Sequence, residues 1–483
     1  MRDFVLLYVN GRRHEVRGAW VFRPLSDFLR DELRLTGAKV VCAEGDCGAC
    51  TVLIGRSRAG RLDYRPVTSC IQYVAQLDST HVVTVEGVRH ENATNAVQAA
   101  LVENHGSQCG YCTPGIVMSL CALFDKSSQP SRRDATRALV GNLCRCTGYD
   151  SILNAVANVD QAAWRATSDL YSDHAMLRDL EQGATESIEI ADGDRTFFKP
   201  ATLEEAVRLR GAHPAAEVLA GGTDLGVLWN KGKRNIGSLL CIGDIRELNE
   251  SIVAKGVWTL GAATSVSQLE QDAQSILPAY AQMLERFGSP PIKNAATLGG
   301  NLANGSPIGD SMPALFVLDA EVELVGPQGR RRVNLNHFYT GYRRTVLSPD
   351  ELISRVIIPL PGRDELFGAY KVTKRRDLDI STFTAAVWMH VEGDVIRAAR
   401  IAYGGVGPMI LRLPRTEAWL SEQRFTEATL RQAGALARVE ITPISDVRGS
   451  AEYRALLAEN ILVKFGREAH VGRYVSMNGS PSS

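Results

Sequence analysis

An excess of charge of either sign is missing from this chain: 54 Lys and Arg balance 54 Asp and Glu across 483 residues. That removes the basic footprint of a nucleic-acid or anionic-membrane surface, so neither partner is expected. Nor does any apolar run approach the roughly 18 residues that a membrane span needs. The opening MRDFVLLYVNGRRHEV lacks the basic region, apolar stretch and cleavage site of a secretory signal. No G-x-G-x-x-G fingerprint follows a strand, so a Rossmann site is not supported. Cysteine, in contrast, is plentiful. In a large chain without a secretory signal, cysteines are more often metal ligands than disulfides, and a cytoplasmic location is expected.

At 45% hydrophobic and 22% charged, the chain has the composition of a globular protein. Its length allows three or four domains. Phe4–Val9 and His14–Val16 flank Asn10-Gly11, a hairpin signal, since both central residues of that turn need positive φ. Leu25, Phe28, Leu29 and Leu33 recur at helical spacing, with Gly37 as the expected stop. Strands are expected at Thr51–Ile54 and His81–Val85. From about residue 93 the pattern turns helical. Expected there are Asn95–Asn104, a helix opening at Thr113-Pro114, one capped at Ser131-x-x-Asp134 and one from Asp150. The polar, weakly periodic stretch 166–195 reads as a linker. Strands and helices then alternate to a boundary near Pro359–Pro361, an α+β segment follows, and the tail from residue 476 is expected to fray.

Eight of the ten cysteines form two sets in the first third of the chain. Cys42, Cys47 and Cys50, closed by Cys70, follow the C-x4-C-x2-C…C spacing of a plant-type [2Fe–2S] centre. Gly45 and Gly48 let that loop bring its backbone close. Structural zinc favours evenly spaced pairs, which this loop does not offer. The second set is Cys109-x2-Cys112 with Cys144-x-Cys146. A C-x-C pair cannot put both thiolates on one face of a regular element, so it must lie in a sharp turn, bracketed by Gly141 and Gly148. On spacing alone, zinc and iron–sulfur both remain open for this second set. Cys121 and Cys241 lie among apolar residues and read as core.

Two glycine-rich segments mark the middle of the chain: Val218-Leu219-Ala220-Gly221-Gly222-Thr223-Asp224-Leu225 and Thr297-Leu298-Gly299-Gly300-Asn301. Either could be a tight turn. Exposed consecutive N–H groups can also cradle a pyrophosphate. Downstream of two clusters the pair favours a flavin, which converts between one-electron relays and two-electron hydride chemistry. The run Lys374-Arg-Arg-Asp-Leu-Asp379 is either a solvated face or the edge of a nucleotide site.

With these residues in view, the chain resembles the iron–sulfur/FAD subunits of bacterial xanthine dehydrogenases, in the molybdenum hydroxylase family. The likeness is carried by CAEGDCGAC (42–50), GSQCGYCTPG (106–115), GNLCRCTGY (141–149), LAGGTDL (219–225) and ATLGGNLANGSPIGD (296–310). It implies a multidomain α+β fold in four parts. These are a β-grasp ferredoxin domain (1–86), a four-helix [2Fe–2S] domain (87–165), an FAD-binding domain of the vanillyl-alcohol-oxidase (PCMH) type (196–365) and an α+β C-terminal flavoprotein domain (366–475). It implies that both cysteine sets hold [2Fe–2S] clusters and that both glycine-rich segments hold FAD. Phe287 would lie near the isoalloxazine and Asp310 would close the site, with Ile353 and Lys371 as further contacts. Val41 departs from the glycine usual before the first cysteine. The implied activity passes electrons from a molybdenum cofactor on a large partner subunit, in an α2β2 heterotetramer, through the clusters and FAD to NAD⁺ as hypoxanthine or xanthine is oxidised. The alternatives are another molybdenum hydroxylase, acting on aldehydes or aromatic rings, and a non-catalytic redox carrier or sensor.

Overall fold

The computed structural model describes residues 2–89 and 93–470, so the expected tail from residue 476 lies outside the described residues. The chain divides into two compact units: Met1–Ile245 with Gly288–Ala296, and Arg246–Phe287 with Thr297–Ser483. The division runs through the expected flavin domain.

In the first unit, strands β1 (Val5–Val9), β2 (Arg12–Val16), β3 (Thr51–Arg58), β4 (Arg61–Thr68) and β5 (Thr80–Val83) form a mixed sheet of order β2-β1-β5-β3-β4. β1 and β5 are parallel and the other pairs antiparallel. The expected hairpin is present, with Asn10 at φ 47° and Gly11 at φ 79°. β4 escapes a sequence reading because charged residues separate its buried positions Leu62, Tyr64 and Pro66, and proline is an unusual strand residue.

The two-residue period of β1 divides the sheet's faces. Leu6 and Tyr8 enter one core with Ala96–Glu103, Thr113–Phe124, Arg132–Ala138 and Asp150–Ala157, the four expected helices. Val5, Leu7 and Val9 enter a second core, with Ile190, Phe197, Leu219 and Leu239. These last residues belong to β6 (Ile188–Asp192), β7 (Arg195–Lys199), β8 (Glu217–Leu219) and β9 (Leu239–Cys241), a sheet of order β6-β7-β9-β8. The central strands β1, β3 and β5 of this sheet are therefore buried on both faces.

Two expectations need correction here. Residues 166–195 are not a linker: they contain helices Thr167–Leu170 and His174–Ala184 and strand β6. Met176, Leu180 and Gly183 recur on one buried helical face, a periodicity masked by the charged residues between them. The helical turn from Leu25 ends at Glu32, with Arg34 in left-handed geometry at φ 59°, and not at Gly37. Gly37 is required for another reason: a Cβ there would stand 2.4 Å from Val85.

In the second unit, β10 (Ser251–Ala254), β11 (Val257–Gly261), β12 (Glu321–Gly326), β13 (Gly329–Asn334) and β16 (Leu352–Pro359) form an antiparallel sheet of order β10-β11-β16-β12-β13. A small pair, β14 (Tyr339–Gly341) and β15 (Arg344–Thr345), interrupts it in sequence. β17 (Glu365–Val372), β18 (Phe383–Glu392), β19 (Val395–Gly404) and β20 (Leu411–Arg412) make a second antiparallel sheet. Helices Glu427–Glu440 and Ala451–His470 cover it through Leu430, Leu462 and Phe465. Among the described residues no helix is long and apolar enough to cross a membrane.

Candidate cofactor sites

The first cysteine set lies on a loop without regular structure between the first helical turn and β3. Ala43, Gly45 and Gly48 take positive φ of 55°, 84° and 66°, which turns the chain inward three times in six residues. Val41 is exposed and is not among the positive-φ residues, so its β-branch costs nothing; the left-handed position is Ala43. Cys50 and Cys70 are buried, Cys42 and Cys47 partly so. Their sulfurs meet in sequence: Cys42 touches Cys47 and Cys70, and Cys70 touches Cys50. Hydrogen bonds from Cys47 and Cys70, then from the backbone of Glu44 and Cys47, pull the Cys42 thiol down. The contact with Cys42, and burial, push Cys47 up. The contacts with Cys42 and Cys50 push Cys70 up. Four sulfurs this close cannot all ionise unless a cation shares them.

The second set fills the expected sharp turn. Gly141, Gly148 and Tyr149 have φ of 100°, 66° and 72°. Tyr149 braces the turn: its hydroxyl accepts from the Cys144 N–H at 2.8 Å and donates to the Asn142 carbonyl at 3.2 Å. Cys146 and Cys109 sulfurs are 3.4 Å apart, and Cys112 meets Cys144. Cys109 and Cys146 are exposed, beside exposed Tyr111 and Leu143. Among the described residues no three ligating side chains converge on one point as a single metal ion requires; in this second set the thiols approach in pairs.

The two loops are fastened to each other. Leu143 N–H donates to the Cys47 carbonyl at 2.9 Å. Buried Asn142 donates to the Gly48 carbonyl at 3.1 Å and accepts from Ser119 at 2.7 Å. A Cβ on Gly115 would stand 2.0 Å from the Gly48 oxygen, and one on Gly48 the same distance from the Gly141 oxygen. Asn142 and Ser119 carried no sequence signal, because the link from Asn142 to Gly48 spans 94 residues.

Also in the first unit, Val218–Leu225 is a strand–turn–helix element, with β8 ending at Leu219 and a helix over Leu225–Asn230. Gly222 has φ 69°. Gln76 of the ferredoxin part lies under the turn, donating to the Ala220 carbonyl at 2.9 Å. A Cβ on Gly221 would strike the Ala295 carbonyl at 2.1 Å. The turn from Ala220 to Asp224 remains partly accessible.

In the second unit, the Thr297 segment is not a loop after a strand. Thr297 caps a helix, Leu298–Asn304, accepting from the Gly300 N–H, and both glycines lie in its first turn. The capping residue directly before an apolar stretch was the available signal. Gly299 packs where a Cβ would meet Ala262 at 2.7 Å. Asp310 is held by two donors, Lys371 Nζ and Ser381 Oγ, each at 2.5 Å, with Lys371 buried. Ser381 was not anticipated. Arg286 donates to the Lys371 carbonyl at 2.8 Å and to Thr373 at 3.0 Å, and half-buried Phe287 follows it. Ile353 is buried in β16, opposite Leu324. The run 374–379 is exposed or partly exposed, and Arg375 pairs with Asp379 at 2.6 Å, Lys374 donates to the Val447 carbonyl at 2.7 Å and Arg376 pairs with Glu285 at 3.6 Å.

A family model described as "FAD binding domain in molybdopterin dehydrogenase" matches residues 190–361. One described as "CO dehydrogenase flavoprotein C-terminal domain" matches 368–469, and a "[2Fe-2S] binding domain" model matches 84–157. Xanthine dehydrogenase of Drosophila subobscura is 32% identical over 95% of this chain and 39% of its own length. That of Emericella nidulans is 28% identical over 96% and 38%. The chain thus spans about two fifths of the curated relatives it matches. Among solved structures, carbon monoxide dehydrogenase from Hydrogenophaga pseudoflava aligns at TM-score 0.55 and 28% identity, over 58% of this chain and 98% of that one. A Cu,Mo-CO dehydrogenase aligns at 0.52 and 30% identity over 56% and 94%. Quinoline 2-oxidoreductase from Pseudomonas putida 86 aligns at 0.53 and 27% identity over 57% and 96%. With [2Fe–2S]-binding, FAD-binding and C-terminal flavoprotein parts in this order, the chain belongs to the molybdenum hydroxylases, as an iron–sulfur/FAD portion of that family.

Proposed function

We propose that this chain is the electron-transfer part of a xanthine dehydrogenase. A partner subunit carries the molybdenum cofactor and oxidises hypoxanthine or xanthine, and NAD⁺ is the final acceptor. Cys42, Cys47, Cys50 and Cys70 hold one [2Fe–2S] cluster, and Cys109, Cys112, Cys144 and Cys146 the other. The thiols suit the task because they meet in pairs with backbone donors nearby, and because their crowding calls for a shared cation. Val218–Leu225 and Thr297–Asn301 contribute backbone to FAD, with Phe287, Asp310, Ile353 and Lys371 as further contacts. When bound, these groups supply one-electron relay and two-electron hydride exchange.

The chain's own part is to hold positions. The observation that carries the reading is the direct fastening of the two cysteine loops, Leu143 N–H to Cys47 carbonyl, which leaves one hydrogen bond and short covalent stretches between a ligand of each set. Lys371 holds the Asp310 side chain in place in a buried setting. The test is to assay the purified chain for NADH-driven reduction of an artificial dye, then for xanthine oxidation with and without a molybdenum-loaded partner. Dye reduction alone, and xanthine turnover only with the partner in an assembly of two copies of each chain, is the expected result. Xanthine turnover by this polypeptide alone would overturn the reading.

The likeness to carbon monoxide dehydrogenase and quinoline 2-oxidoreductase structures favours a second reading, the same module in a molybdenum hydroxylase of other specificity. It predicts the same dye reduction or reduction by another acceptor, and no xanthine turnover with the native partner.

A further inference from the structure

The helix Leu225–Asn230 leaves the Gly221–Asp224 turn and ends on the loop of the first cysteine set. Asn230, at that end, has its polar groups engaged on three sides. Its Nδ2 donates to the Cys70 carbonyl at 2.7 Å and to the Ala43 carbonyl at 2.9 Å, and its Oδ1 accepts from the Tyr73 hydroxyl at 2.9 Å. Both Nδ2 hydrogens are committed to carbonyls, which only accept, so the amide cannot flip without losing both of those bonds. Lys231 adds a longer tie to the Cys42 carbonyl at 3.3 Å and an ion pair with Glu44 at 3.1 Å. The packing beneath is tight: the Tyr73 ring meets Trp229 edge-on at 4.7 Å, and the Ile71 carbonyl stands 2.5 Å from where a Gly226 Cβ would be.

One side chain thus bridges the Cys70 carbonyl and the carbonyl of Ala43, the residue after Cys42, two arms brought together from distant parts of the chain. Donation into those carbonyls polarises the peptides toward positive potential beside the sulfurs. The potential of an iron–sulfur group responds to such local dipoles and hydrogen bonds.

We infer that Asn230 is a positioning residue for the group held by Cys42, Cys47, Cys50 and Cys70. It sets the spacing of the Cys42 and Cys70 arms and raises the midpoint potential of that centre, from the end of the helix that begins at the flavin turn. The inference rests on the [2Fe–2S] reading of that cysteine set.

The test uses the full chain, as wild type, Asn230→Ala and Tyr73→Phe. Iron is counted, and both reduced-state paramagnetic signals are followed in a redox titration. Asn230→Ala is expected to keep full iron, lower the midpoint of one centre, alter its signal and leave the other centre unchanged. Tyr73→Phe, which frees the amide but keeps the ring, is expected to give a smaller shift of the same sign. Unchanged midpoints in iron-replete Asn230→Ala would overturn the inference. So would loss of half the iron in Asn230→Ala with no shift in Tyr73→Phe, which is the signature of a structural tie alone. If Asn230→Ala does not fold, Tyr73→Phe decides by itself. A wild-type chain with one signal or none would instead defeat the underlying cluster reading.

Discussion

Gly222 combines φ 69° with a neighbour, Gln76 Nε2, at 2.6 Å from the position of a Cβ. Both facts demand glycine without any ligand. Gly222→Val should therefore cost about 1–3 kcal/mol in backbone strain and lose FAD for reasons that mix folding with binding. Gly300 separates them: its φ is ordinary and a Cβ there meets only Thr297 Oγ1, at 2.8 Å. Gly300→Val should cost no more than about 1 kcal/mol through the cap while still blocking approach to the backbone. Flavin absorbance per chain, set against the melting temperature, checks this: a near-native melting temperature with depleted flavin is expected. Full flavin in Gly300→Val would move the site elsewhere.

His81 supplies the pH dependence. Gly11 N–H donates to its Nε2 at 3.0 Å, so Nδ1 carries the proton toward the Tyr64 hydroxyl at 2.6 Å. Burial lowers its pKa to about 3. The unfolded chain therefore binds this proton first as pH falls. Stability from the neutral ring is complete above about pH 6.5 and drains away between there and about 3, by an amount on the order of a few kcal/mol. His81→Gln should flatten the acid limb of a denaturation-versus-pH curve; an unchanged limb would assign the acid sensitivity to other groups.

Among the elements, helix His174–Ala184 was the least legible. Its one buried stripe, Met176, Leu180 and Gly183, is narrow, and its partners lie far back in the chain: Asp179 accepts from Tyr8 and Arg13, each at 2.8 Å. The spacing of Cys42, Cys47 and Cys50, in contrast, was readable, because residues of one loop lie near one another in sequence, whereas spacing alone left zinc and iron–sulfur open for the second set. Helix caps at Asn95 and Ser131 were readable for the same local reason. What escaped was side-chain traffic between loops, such as Asn142, Gln76, Ser381 and Asn230, where a polar residue gains meaning only once a distant carbonyl or carboxylate arrives. Two outcomes measure this. Leu180→Ala should destabilise the chain by about 2–5 kcal/mol, as a core residue does, where a linker leucine would be neutral. Asn142→Ala should cost about 1–3 kcal/mol through the stranded Gly48 carbonyl and Ser119 hydroxyl, and weaken the magnetic interaction between the two reduced centres. Denaturant melts and paramagnetic resonance of the two variants check both.

For the whole molecule, the count of cofactors is the coarsest check. Iron and labile sulfide near four each per chain, with one flavin, is expected. Cys47→Ser and Cys144→Ser should remove different paramagnetic signals, and loss of the same signal by both would contradict the two-cluster assignment.

The short stretch Gly288–Ala296 belongs to the first unit although its flanks belong to the second. From it, a Ser289 Cβ stands 2.5 Å from where Gly141 would carry one, Ile292 bears on Gly45, and Asn294 donates to the Pro66 carbonyl at 2.8 Å. During synthesis the cysteines of both sets emerge well before this stretch does. The packing against Gly45 and Gly141 is therefore finished late, after a further 150 residues have left the ribosome past Cys146, the interval from Cys146 to Ala296. Gly45 and Gly141 thus gain their neighbours Ile292 and Ser289 from a segment made after every cysteine of both sets. Through one nine-residue detour (288–296), the packing around both cysteine loops waits on the synthesis of residues 246–287.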